Sequence, residues 1–165
     1  GVNPFDRSVE LLGEVPVVFC ASESLAGYLK EGFPGSLNEA PMLLPSSQSA
    51  WRHHLDHYFE TQSVRPNVVA EFDDSALMKT AAADGLGIVP VALPVAAEAA
   101  KRYSLDCMSE AVQCGFPCYI ITVERSLKHP AVRTMAKAAR QYFKTNSGGE
   151  SQEDQILLSE EKSEV

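Results

Sequence analysis

Val15-Pro16-Val17-Val18-Phe19-Cys20-Ala21 is a continuous apolar run rich in β-branched residues, the pattern of a strand buried on both faces. Ser22 then offers an N-cap for a helix over residues 23–30, which Gly32, Pro34 and Gly35 end. Outward from this pair the same alternation repeats. Residues 42–44 predict a short strand closed by Pro45, followed by the polar loop Ser46-Ser47-Gln48-Ser49 and a helix from about 50 to 60. On that helix Trp51, Leu55, Tyr58 and Phe59 share one face, which packs inward. Residues 67–72 predict the next strand, Asp73 and Asp74 supply caps, and a helix runs over 75–84 to Gly85, a suitable C′ residue. A strand over 88–91 leads to an alanine-rich helix with Pro94 in its first turn, ending near Arg102. Residues 105–108 predict a short strand, 117–123 a longer one, and a last helix runs from Pro130 to about Lys144.

Strand and helix alternating in this way imply an α/β fold with mostly parallel sheets flanked by helices. Ligands of such sheets bind beyond the carboxyl ends of the strands, where loops and helix N-termini gather. Two loops match that position: 46–49 after the strand 42–44, and 73–75 after the strand 67–72.

Composition narrows the class. The chain has 165 residues, 22 acidic and 14 basic, a net charge of −8, and 45% hydrophobic residues. That suits one domain or slightly more. Hydrophobic residues recur from Val2 to Phe143, which excludes disorder throughout, and no apolar run approaches the ~18 residues of a membrane helix. Residues 1–7 hold no basic segment followed by an apolar core, so the expectation is a cytoplasmic protein without a secretory signal and without membrane partners. Residues 146–165 carry six acids and one base, with Ile156, Leu157 and Leu158 as their only apolar cluster. Residues 145–165 therefore read as an acidic disordered tail. The remaining body is mildly acidic and reads as lacking a basic stripe, so no direct DNA binding is expected.

The chemistry-bearing residues point away from catalysis. The chain has no G-x-S-x-G elbow, no phosphate-binding G-x-x-x-x-G-K-[ST] and no H-E-x-x-H, and Gly85-Leu86-Gly87 follows a helix instead of opening one after a strand. His53 and His57 stand at i and i+4, but without a neighbouring Glu or a third ligand they read as a solvated face, so neither metal nor cofactor is predicted. Cys20, Cys107, Cys114 and Cys118 lack the spacing of zinc sites and read as reduced structural thiols.

The order of fragments from Pro41 to Val132 resembles the effector-binding domain of LysR-type transcriptional regulators. Leu43-Leu44-Pro45, the serine loop, the early helical Arg52, the run from Val68 to Glu71, and Gly85-Leu86-Gly87-Ile88-Val89-Pro90 carry the likeness over about ninety residues. Within that family, Glu71-Phe72-Asp73-Asp74-Ser75-Ala76-Leu77-Met78-Lys79, Val123-Glu124-Arg125 and His129-Pro130 are similar to sodium-responsive activators of sodium/proton antiporter operons.

The resemblance implies a fold like that of type 2 periplasmic binding proteins, with one complete subdomain over about 41–103 and part of a second in 1–40 and 117–144. It implies a small effector, Na⁺ or an organic anion, in the cleft between subdomains, and pairing into a homodimer. The DNA-reading part and the first half of subdomain one have no counterpart in these residues, so a stand-alone solute-binding or interaction protein is the alternative. By family position the effector-binding residues are Ser46, Ser47, Gln48, Ser49, Asp74, Ser75, Val89 and Pro90. Two of these loops also admit a plain structural reading, as N-caps of the helices they precede.

Overall fold

The computed structural model describes residues 8–122 and 129–146. The chain forms two compact units, one of Gly1–Gly13 with Tyr119–Val165 and the other of Glu14–Cys118. Two long strands, β1 (Ser8–Ala21) and β6 (Val112–Thr122), pair with each other and pass from one unit into the other.

In the larger unit the element order is α1 (Glu23–Leu29), a 3₁₀ turn (Gly35–Leu37), β2 (Pro41–Pro45), α2 (Ala50–Thr61), β3 (Asn67–Phe72), α3 (Ser75–Ala83), β4 (Val89–Ala92), α4 (Leu93–Tyr103) and β5 (Asp106–Cys107). β2 pairs parallel with β3, and the Met42–Ile88 bridge, also parallel, brings the segment entering β4 to the other side of β2. Gly87 makes that approach possible: a Cβ there would lie 2.8 Å from the Pro41 carbonyl oxygen. Gly85 ends α3 with φ of +85°, its N–H on the Ala82 carbonyl and that of Leu86 on Ala81, both at 3.0 Å. This is the Schellman arrangement, and it favours glycine at that position.

β1 runs antiparallel to both β4 and β5, so the sheets are mixed and not mostly parallel as the alternation had implied. The reason is topological. A helical crossover returns the chain to a parallel strand, but β1 enters from the other unit and owes its direction to no crossover within the sheet.

The apolar run over residues 15–21 is the part of β1 that is buried on both faces. Val17, Phe19 and Ala21 pack with Met42, Leu44 and residues of α1 and α2, whereas Val18 and Cys20 pack with Leu43, Val89, Val91 and residues of α3 and α4. Alternate β1 side chains thus serve two cores, one on each side of the sheet. Phe19, with no exposed surface, has its ring 5.9 Å from those of Phe33 and Tyr58 and 6.0 Å from that of Phe59.

Several boundaries differ from the sequence reading. β1 begins at Ser8 instead of Val15, because Val9 and Leu11 are exposed and supply no continuous buried run. β6 begins at Val112 and contains Pro117, which is tolerated in a strand whose one partner is β1, since edge strands accept proline. Cys20 and Cys107 do not stand as separate thiols. The antiparallel register sets them opposite each other and they form a disulfide, leaving Cys114 and Cys118 free.

In the smaller unit α5 (Pro130–Asn146) takes in residues 145 and 146 of the expected tail. The Arg140 guanidinium donates to both oxygens of Glu10 at 2.7 Å, joining the helix to the start of β1. Residues 147–165, and Val123, Glu124 and Arg125 of the resemblance, lie outside the described residues.

Candidate functional site

The parallel register of β2 and β3, with Leu44 opposite Glu71 and Pro45 opposite Phe72, brings the carboxyl ends of both strands side by side. Both predicted loops therefore leave the sheet at the same edge. They are joined directly, because the Ser46 backbone N–H donates to the Phe72 carbonyl at 3.0 Å. Loop 46–49 then turns on a Ser49 N–H to Ser46 carbonyl bond of 2.9 Å and enters α2. Ser47 and Gln48 are exposed, and Ser46 and Ser49 are half-buried.

The two helix entries differ in how their N–H groups are satisfied. At α3 the Asp74 carboxylate accepts from the Ala76 and Leu77 N–H groups at 2.7 and 3.0 Å, so this residue is a working cap. Those bonds, to Leu77 and then Ala76, hold its carboxyl below the usual carboxylate range, with a further contribution from the Lys79 charge. At α2 the cap position is Ser49, whose hydroxyl makes no capping bond. The first turn of α2 therefore keeps backbone donors, with the positive end of the helix dipole, directed at the loop. Ser75 is exposed, with Lys79 Nζ 3.5 Å from its Oγ.

Arg52 braces this edge from beneath. Its Nη1 donates to the Pro45 carbonyl at 3.0 Å and to Glu71 Oε1 at 2.6 Å, while its Nε reaches Asp56 at 2.9 Å. Burial opposes the guanidinium charge, but the hydrogen bonds to Glu71 and Asp56 and their negative charges outweigh it, and the Arg52 pKa is raised. One side chain thus ties the end of β2, the end of β3 and the first turns of α2 together. The sequence reading held Arg52 only as part of a family pattern and assigned Glu71 no role. Nearby on α2, the Trp51 Nε1 is buried without an acceptor, its ring 5.4 Å from that of Phe116. Only its indole N–H, a donor that normally finds a partner when buried, could have flagged it.

Val89 and Pro90 are placed differently. Both are fully buried in the sheet, Val89 in the core that also holds Leu43 and Met78, and neither offers a ligand exposed surface. The structure therefore brings Ser46, Ser47, Gln48, Ser49, Asp74 and Ser75 to one edge and leaves Val89 and Pro90 behind it. His53 and His57 are exposed, and among the described residues no three His, Cys, Asp or Glu side chains converge as a metal site. Elsewhere in the larger unit a cavity of about 630 Å³ is lined by residues that include Lys30, Phe33, Cys107 and Ser109, and by none of the predicted site residues. Among the described residues no helix is long and apolar enough to cross a membrane.

A family model described as LysR substrate binding domain matches residues 3–144. The regulatory domain of Synechocystis PCC6803 CcmR, solved in complex with 2-PG, is similar with a TM-score of 0.60 at 18% identity, over 86% of this chain and 69% of that one. The effector-binding domain of Citrobacter freundii AmpR gives 0.58 at 16% identity, over 88% and 72%. That of QuiR, solved in complex with shikimate, gives 0.58 at 17%, over 87% and 68%. No curated protein matches.

Proposed function

The chain belongs to the LysR substrate-binding-domain family, and from that premise we propose that it is the signal-sensing part of a transcription regulator, holding a small polar effector at the carboxyl ends of β2 and β3. The observation that carries this reading is the Ser46–Phe72 hydrogen bond, which makes one edge of the two serine-bearing loops. Free N–H groups and hydroxyls at the start of α2 suit an anion or a polyhydroxyl compound. The small molecules in the CcmR and QuiR complexes support the same class of ligand.

Na⁺ is the second ligand class, because residues 71–79 resemble the sodium-responsive subgroup. Asp74 already spends one oxygen on capping, so Asp73 and the Ser75 hydroxyl would be the oxygen donors left for a cation. In this reading the domain acts as a cytoplasmic homodimer, and effector binding shifts a population that a DNA-binding module carried elsewhere reads out.

The test is a thermal-shift titration of the full chain with sodium, lithium and potassium chloride at constant ionic strength, and with a panel of small carboxylates and phosphate esters. A ligand at one hundred times its Kd stabilises by about 2.7 kcal/mol, which raises Tm by roughly 5–10 °C. Ser47→Ala with Ser75→Ala should reduce that shift. No shift beyond general salt effects across the panel would contradict the reading.

A further inference from the structure

We propose that the basic face of α5 is the docking surface for the chain's own acidic carboxy-terminal segment, residues 147–165. Four of the seventeen residues of α5 are cations, Arg133, Lys137, Arg140 and Lys144, and none is an acid. They stand at i, i+4, i+7 and i+11, so all four fall on one stripe of the helix.

That placement is unfavourable for the helix on its own. Arg133–Lys137 and Arg140–Lys144 are like-charge pairs at i,i+4, which repel, and Arg133 lies in the first turn, where the helix dipole disfavours a cation. Arg140 is relieved by Glu10. Arg133, Lys137 and Lys144 are exposed and have no carboxylate partner among the described residues. The sequence reading, which found no basic stripe, is corrected here: the net charge of the body hid four cations gathered on one helix.

The occupant follows from charge and reach. Glu150, Glu153, Asp154, Glu160, Glu161 and Glu164, against Lys162 alone, lie in the nineteen residues that continue from the end of α5. At up to ~3.5 Å per residue, the ten residues from Asn146 to Ile156 span more than the ~25 Å length of a seventeen-residue helix. The acids at 150, 153 and 154 can therefore return along the stripe without any other part of the chain moving. An external polyanion has to approach a chain of net charge −8, whereas the segment is tethered beside its target.

The experiment measures acetylation rates of individual lysines in the full chain by mass spectrometry, and compares it with a full-length variant carrying Glu150→Gln, Glu153→Gln and Asp154→Asn. At low salt, Lys137 and Lys144 should react roughly two- to fivefold more slowly in the unaltered chain than in the variant, the scale of a few exposed ion pairs. The difference should vanish near 0.5 M salt, where the Debye length is about 4 Å, and exposed Lys30 should react alike in both. Equal rates for Lys137 and Lys144 at low salt would overturn the proposal. So would protection that disappears on dilution, which would mean that the segment docks on a second copy.

Discussion

The backbone N–H of Ser46 donates to the carbonyl of Phe72 at 3.0 Å, across the ends of two parallel strands joined through α2. The bond continues the β2–β3 ladder one step past the strands, into the loops. It makes the position of one loop depend on the other, which a site assembled from both requires. Replacing Ser46 with Pro removes the donor and strands the Phe72 carbonyl. The expected loss is about 1 kcal/mol by chemical denaturation, against less than about 0.5 kcal/mol for Ser46→Ala, which keeps the N–H. Equal losses would show that the bond does not hold the edge.

Arg52 makes a stronger demand on the same edge. Its side chain is 13% exposed but its partners Asp56 and Glu71 are 46% and 42% exposed, so the ion pairs are screened by water. Arg52→Ala should therefore cost only about 1–2 kcal/mol, much of it from the lost bond to the Pro45 carbonyl. Arg52→Lys should recover less than half, because an ammonium cannot serve three acceptors in the fixed geometry of a guanidinium. Full recovery by lysine would reduce the brace to simple charge.

Three glycines should respond to alanine in different ways. At Gly87 a Cβ meets the Pro41 carbonyl oxygen at 2.8 Å, a backbone atom that cannot give without parting β4 from β2. Gly87→Ala should cost at least 1–3 kcal/mol. Gly85→Ala should cost about 1 kcal/mol for its positive φ. Gly27→Ala, inside α1 with nothing within 4 Å of the new methyl, should stabilise by about 0.5–1 kcal/mol. Denaturation midpoints of the three variants check this order.

Alkaline pH should loosen the larger unit. Burial pushes the Cys114 thiol up to about 12 from its usual 9, and burial followed by the neighbouring Cys114 pushes Tyr58 up to about 12 from 10. Both groups are acids whose neutral form the fold prefers. Their contribution to stability is thus complete below the unfolded pKa values and is lost as pH rises from about 9 towards 12. Stability measured by denaturation should fall across that window. Cys114→Ala should move the onset of the fall from about pH 9 to about pH 10, where Tyr58 takes over. An unchanged onset would assign the fall to other groups.

The elements that the sequence punctuates were legible. β3 matches its predicted span and α3 ends one residue short of its own, because Pro66, Asp74 and Gly85 each impose a local backbone requirement that the chain obeys. What depends on contacts between distant residues was not. Nothing near Cys20 announces Cys107, 87 residues on, and only the antiparallel register makes them a pair. The direction of β1 likewise follows from its partners and not from its own side chains.

The site shows the same division. The serine loop and the Asp74 cap stood out as residue types at helix entries. The finding that Asp74 caps while Ser49 does not required geometry, and so did the burial of Val89 and Pro90. The α5 stripe is a different case. Its spacing was present in the sequence, but a net charge summed over the body averages away a pattern confined to one helix face.

The central claim, that a small polar ligand is held at the joined ends of β2 and β3, is tested most directly by backbone amide shifts in ¹H–¹⁵N spectra of the full chain. The chain is titrated with small carboxylates and, separately, with sodium chloride against potassium chloride at matched ionic strength. Saturable shifts concentrated in residues 46–50 and 73–77 are expected. Saturable shifts confined to the cavity beside Lys30, Phe33 and Cys107, or none with any ligand, would contradict it.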